Sequence, residues 1–265
     1  MALGPAAGAA AAPAAAPRPA PALPTYFLDH DGVTTAESGG RPTPRLRLFR
    51  EFVPTTHRTA EARAEAAANA VMREAGRRGH LNVWGERTVT GVVSAPGRID
   101  VTVAGPTRRV DAATARLGVA SVVWTVTATL GRDVPVVFRS ADGQVLGGLP
   151  AGVAHRRATG VGQTSVLAAV WIDSPGVGGV VRSGRVALTG QACAFEGTVA
   201  YRVTRGTATV RSGVTTASIA CPTRGAWRVD LGALPKGGYR AEVWAPSPAD
   251  GQRDLGRVAR SFTVG

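Results

Sequence analysis

Lysine is almost missing from this chain. Lys236 is the only one, and arginine supplies the rest of the 31 basic residues. Against 18 acidic residues they leave a formal net charge of +13. A balance of that sign draws a protein toward nucleic acid, anionic lipid or anionic wall polymer. The arginines are scattered singly or in pairs, however, and no basic arm of about five to eight residues occurs. That argues against nucleic acid as a partner and leaves a weak, unspecific attraction to an anionic envelope surface.

Cysteine is nearly as scarce. Cys193 and Cys221 are the two present, and neither belongs to a C-x-x-C motif, which excludes zinc-ribbon and thioredoxin-type chemistry. Two cysteines inside one small all-β region read as a Cys193–Cys221 disulfide formed in an oxidising compartment, with two buried free thiols as the other reading. Aromatics make up 5% of the chain, so those present are expected in cores. No stretch approaches about 20 strongly apolar residues, so no membrane span is expected. Residues 1–24, rich in alanine and proline, lack the basic and apolar regions of a signal peptide. An export signal is therefore expected upstream, trimmed or missed by the chosen start.

Catalytic signatures are also missing. The histidines, His30, His57, His80 and His155, are dispersed, and there is no H-E-x-x-H, no G-x-S-x-G and no G-x-x-x-x-G-K-[ST]. Gly176-Val177-Gly178-Gly179 lacks the third glycine and the helix of a dinucleotide loop and reads as a turn. Asp29-His30-Asp31-Gly32 lacks the later acids of a calcium loop and reads as a polar turn. Glu196 is expected to be a buried or strand-edge acid, with no second carboxylate nearby for glycosidase chemistry. Trp171, Trp227 and Trp244 are expected in a core rather than as a sugar-stacking platform. No catalytic, cofactor or metal residue is assigned.

What is present divides in two. Residues 1–24 read as a semi-stiff tether, since alanine and proline alone bury too little surface to offset ordering entropy. Residues 25–149 read as an α+β domain with a mixed sheet and two helices. Strands are expected at 25–29 and 45–53, the second with Leu46, Leu48 and Phe52 apolar and Arg47 and Glu51 polar. Residues 59–75 place Ala64, Ala67, Ala68, Val71, Met72 and Ala75 on one helical stripe, closed by Gly76 and Gly79. A hairpin is expected around Ala95-Pro96-Gly97. Residues 111–130 combine helical length with β-branched valines, and length favours a helix capped by Asp111. Residues 134–138 and 144–146 are expected to pair across the Asp142-Gly143 turn.

Residues 150–165 read as a linker. Residues 166–265 show no helical stripe but seven or eight short alternating runs, including 169–172, 207–211 and 216–220, a β-sandwich pattern. The run Leu234-Pro235-Lys236-Gly237-Gly238-Tyr239 has the form of a tyrosine corner. Ala241 stands where antibody domains place the second bridge cysteine, so any disulfide here has a different geometry.

On these residues the first half resembles the GerMN domain of sporulation and spore-germination proteins. Its opening YFLD strand, alanine-rich helix and the VVWTVT, VPVVF and ADG segments within 119–143 carry the likeness. The second half resembles the immunoglobulin-like domain of bacterial spore germination proteins through WIDSPGVGG, VALTGQACAFEGTVAYRV, GAWRVDL and GGYRAEVW. These resemblances imply an exported envelope protein without catalytic residues, whose partners are envelope proteins or further copies of itself. Binding of an anionic wall polymer or carbohydrate is the alternative.

Overall fold

The computed structural model describes residues 22–31, 45–182, 185–248 and 254–265. Residues 1–21 of the expected tether lie outside them, as does Gly32 of the expected turn. Ala22 to Pro24 instead open the first strand, β1 (Ala22–His30), because nine residues of β2 (Leu46–Pro54) pair against it from Ala22↔Pro54 to His30↔Leu46. Asp29 and His30 are therefore strand residues rather than a turn.

Helix α1 (Ala60–Asn69) starts where Thr59 Oγ1 accepts the Ala62 amide at 3.2 Å, satisfying one of the free first-turn donors. Its expected stripe is buried throughout, and the run continues through a π turn to Glu74 and a 3-10 turn over Gly76–Arg78. Gly79 ends it at φ 82°, a left-handed conformation that glycine adopts without a Cβ penalty. Strands β3 (Thr88–Ala95) and β4 (Arg98–Ala104) form the expected hairpin. Where β3 slips register after Val89, the Asn69 side chain takes over, accepting from the Val89 amide and donating to its carbonyl.

The valine-rich segment is helix α2 (Ala112–Leu130), capped by Asp111 and closed by Gly131. It packs against α1 and β1. Its polar residues tolerate burial because Ser121, Thr125 and Thr127 bond back to carbonyls in the preceding turn. By length and composition alone α2 would serve as a membrane span, but more than half of it is buried inside the protein, as a core helix is.

Strand β5 (Val136–Arg139) runs parallel to β4, which makes the sheet mixed. Its antiparallel partner is β6 (Ala154–His155), not residues 144–146. The expected second hairpin fails for a polar reason. Buried Arg87 donates to the Gln144 carbonyl at 2.6 Å and pairs with Asp142 at 2.9 Å, holding that segment as a loop over Val145 and Leu146. The stretch read as a linker is thus partly sheet. It continues through a 3-10 turn over Gly160–Ser165 and then bonds to β2, where the Leu48 amide donates to Val166 O and its carbonyl accepts from Ala168.

The remaining strands are β7 (Val170–Ser174), β8 (Gly179–Val181), β9 (Arg185–Ala192), β10 (Thr198–Arg205), β11 (Ala208–Thr216), β12 (Gly225–Ala233), β13 (Gly237–Pro246) and β14 (Asp254–Val264). They form a three-stranded sheet, β12-β9-β7, and a five-stranded sheet, β11-β10-β13-β14-β8. A second hydrophobic cluster, including Val170, Leu188, Val203, Trp227, Val243 and Phe262, fills the space between them. This is the immunoglobulin-like sandwich the alternation predicts. Residues 216–220 are not a separate strand. Thr216 ends β11, and the chain then turns toward β12, with the Ser218 amide on Ala226 O. The short β8, which pairs in parallel with β14, escaped a reading based on alternation over longer runs.

Candidate functional site

Ionisable side chains converge at the seam between the two halves. The pleat of β2 places Phe49, Glu51 and Val53 on its buried face and leaves Phe52 41% exposed, the reverse of the expected phase for Phe52 and Glu51. Glu51 is 3% exposed, and Oε1 accepts from Arg260 Nη1 of β14 at 2.6 Å. The same oxygen lies 2.9 Å from His80 Nε2, and Arg78 Nη1 is 3.7 Å from Oε2. Gly79 turns the chain so that His80 stacks on Phe27, with ring centroids 4.8 Å apart, and sets Nδ1 3.0 Å from Asp29 Oδ2. A cavity of about 360 Å³ opens beside this group, lined among others by Asp29, Arg78, His80, Arg257 and Arg260.

Burial alone would raise the Glu51 pKa, but hydrogen bonding from His80 and the charge of Arg260 outweigh it, and the pKa lies below 4.5. Burial would likewise lower that of His80, but its bonds to Asp29 and Glu51 outweigh this and raise it above 6.5. A carboxylate stands at each ring nitrogen of His80, and both contacts favour its protonated form. Among the described residues no group of three His, Cys, Asp or Glu side chains is arranged to hold a metal ion. The array Asp29–His80–Glu51–Arg260 is a chain of alternating charge bolting β1 and β2 to β14.

That array sets a pH window. The Glu51 contribution is complete above about pH 4.5 and is lost as pH falls through its lowered native value; the His80 contribution is complete below about pH 6.5 and is lost as pH rises through its raised one. Stability measured by urea unfolding is expected to peak between those limits. A His80→Gln variant is expected to flatten the alkaline side of that curve, and an unchanged alkaline slope would contradict the assignment.

A second set of contacts flanks the first. Trp171, 2% exposed, donates from Nε1 to Leu48 O at 3.2 Å and meets Tyr26 edge-on at 5.7 Å. Arg224 lies 3.8 Å over its ring and donates to the Ala168 and Ala169 carbonyls. Desolvation first, and then the charge of Arg50, lowers the Arg224 pKa to about 9, so it stays charged at neutral pH. Arg50 packs between Trp171 and Phe52 and pairs with Asp173 at 2.5 Å. Trp171 and Trp227 are core residues, as expected. Trp244 is half-buried and has Arg257 4.4 Å over its ring.

Other expected residues fall elsewhere. Cys193 and Cys221 are joined, with Cα atoms 4.5 Å apart, linking the end of β9 to the loop before β12. The bridge spans 28 residues, so reduction is expected to remove about 3–4 kcal/mol in the chain-entropy account. Comparing thermal melts with and without reductant, against a Cys193→Ser/Cys221→Ser variant, checks this. Tyr239 donates to Pro235 O at 2.6 Å, completing the tyrosine corner. Glu196 is neither buried nor in a strand. It sits exposed at φ 51° in the turn over Phe195–Gly197, where the chain passes from β9 in one sheet to β10 in the other. His30 and His57 are exposed, and His155 meets Phe138 edge-on. His80 was the histidine to follow. Phe49 and Val53, two residues to either side of Glu51, carried the signal that this acid faces inward.

The disulfide position, the tyrosine corner and the eight-strand order together define the second half. Residues 169–252 match the immunoglobulin-like domain of bacterial spore germination. The match covers the sandwich from β7 through β13. No curated protein matches the chain. Among solved structures, a crystal structure of an engineered protein aligns at 14% identity with a TM-score of 0.31, covering 56% of this chain and 35% of that one. A likeness that slight carries no argument about fold or function.

Proposed function

We propose that the protein is a non-catalytic, extracytoplasmic assembly module of the spore-germination type, with a GerMN-like first half, and that it works by binding other envelope proteins. The observation that carries this is the state of the seam. Asp29, His80, Glu51 and Arg260 converge there and pair with one another, with a carboxylate beside each His80 nitrogen. A group so paired fixes the orientation of two units rather than transferring protons. The germination-type domain and the Cys193–Cys221 bridge support placement outside the cytoplasm. A protein that presents sheet edges and arginine-bearing faces is suited to holding partners in register.

The test is crosslinking in the envelope fraction of the native host, followed by capture of this chain. Specific protein partners are expected. Recovery of none under crosslinking, or sedimentation with purified wall polymer in their place, would overturn the reading.

A further inference from the structure

Strand β11 is the outer edge of the five-stranded sheet, and among the described residues its neighbour there is β10 alone. An unpaired edge exposes a row of backbone donors and acceptors, and proteins usually guard it with charge, proline or a bulge. Guards occupy only one half of β11. The register slip between Val203 and Thr204 makes Val210 an extra, bulged residue, and Arg211 stands next to it, both near the hairpin end. Beyond them Ser212, Gly213, Val214, Thr215 and Thr216 carry no charge and no proline, and they are exposed except for half-buried Thr215. Val214 is 71% exposed.

Val214 is also the open end of a row. It lies opposite Ala200 of β10, which lies opposite Trp244 of β13, which lies opposite Arg257 of β14. Val199 and Val203 of β10 face the sandwich core, so Ala200 and this row lie on the outer face. The apolar strip Trp244–Ala200–Val214, with Ala200 buried in its middle, thus runs across three strands and stops at an edge to which no further strand pairs among the described residues, although Thr215 Oγ1 donates to Arg228 O of β12 at 3.0 Å.

We infer that β11 pairs antiparallel with β11 of a second copy, about a two-fold axis at Val214. This deepens the assembly reading and rests on it. A two-fold axis there sets Val214 beside its own copy, Gly213 opposite Thr215 and Ser212 opposite Thr216, with no charge facing another. The apolar strip then continues unbroken into the second sheet. The two Arg211 residues are left three positions from the axis on either side, about 20 Å apart at roughly 3.3 Å per residue. That exceeds the screening length of about 8 Å at physiological ionic strength. A second copy suits this edge because the segment is uncharged and matches itself. An acidic partner strand would find its charge complement only at Arg211. Each copy carries +13, so mutual repulsion opposes pairing at low salt.

Sedimentation equilibrium of the full chain is expected to show a monomer–dimer equilibrium that tightens as salt rises. Val214→Lys, at an exposed position, is expected to weaken it at least tenfold without changing the melt, whereas Val161→Lys, on the exposed 3-10 turn, is expected to leave it unchanged. Val214→Cys is expected to form an oxidised dimer and Val161→Cys is not. A protein monomeric at every concentration whose Val214→Cys form does not crosslink overturns the inference, as does a dimer insensitive to Val214→Lys. Either result leaves the assembly reading standing if envelope partners are still captured; failure of that capture alone would overturn the assembly reading while leaving the dimer.

Discussion

Glu51→Ala is expected to cost about 3–5 kcal/mol of stability, the range seen when one member of a buried ion pair is removed. The size follows from what the carboxylate leaves behind. Arg260 is 8% exposed and would be left charged without a carboxylate partner, while His80 would keep only its contact with Asp29. Arg78 would lose its more buried acid and keep the exposed Glu74 at 3.3 Å. The fully apolar alternative separates this from a packing loss. Glu51→Leu with Arg260→Met removes both charges and is expected to recover most of the deficit, because desolvation then no longer has to be offset. Urea unfolding of the three proteins checks this. A loss under about 1 kcal/mol, the range of a solvated surface pair, would show that the seam is held by its apolar contacts alone.

Gly190→Ala is the second large effect, expected at or above about 3 kcal/mol, the upper end of overpacking. Gly190 lies in β9, the middle strand of β12-β9-β7. A Cβ there would sit 1.9 Å from Trp171 O and 2.5 Å from Trp227 Cζ2. Neither neighbour can yield. The carbonyl belongs to the adjacent strand, and the indole is 3% exposed within the core. Gly176→Ala provides the control, since a Cβ at that position meets nothing within 4 Å. The first variant is expected to express poorly or melt far below the parent, and the second to match it. Equal melting temperatures would mean that the sheet is looser than its close contacts imply.

Much of this architecture was legible in advance because hydrophobic period is local information. The alanine stripe of α1 repeats every three or four residues, and it packs as read. Trp227, Val229 and Leu231 alternate and line one face of β12. Tyr239 follows its Pro-Lys-Gly-Gly turn closely enough for the corner bond to be anticipated. Helix α2 was the difficult case, since β-branched valines favour strand and only its uninterrupted length favoured helix. Tertiary burial of nearly every face settled it.

The expected hairpin at 144–146 failed because Arg87 sits 57 positions away in sequence and claims that backbone. The phase of β2 failed for a related reason. A glutamate reads as solvent-facing unless its counter-ions are known, and those of Glu51 come from positions 78, 80 and 260.

The sequence by itself determined both long helices and most of the strands, that the second half is a sandwich, and that the cysteines share one sheet region. These depend on neighbours within a few residues. Only the tertiary structure decided where the charges go. The bolt of Asp29, Glu51, His80 and Arg260, the stacking of Arg224 over Trp171, and the open edge of β11 join or expose residues far apart in the chain. Desolvation acts on proximity in space, and no periodicity along the sequence records it.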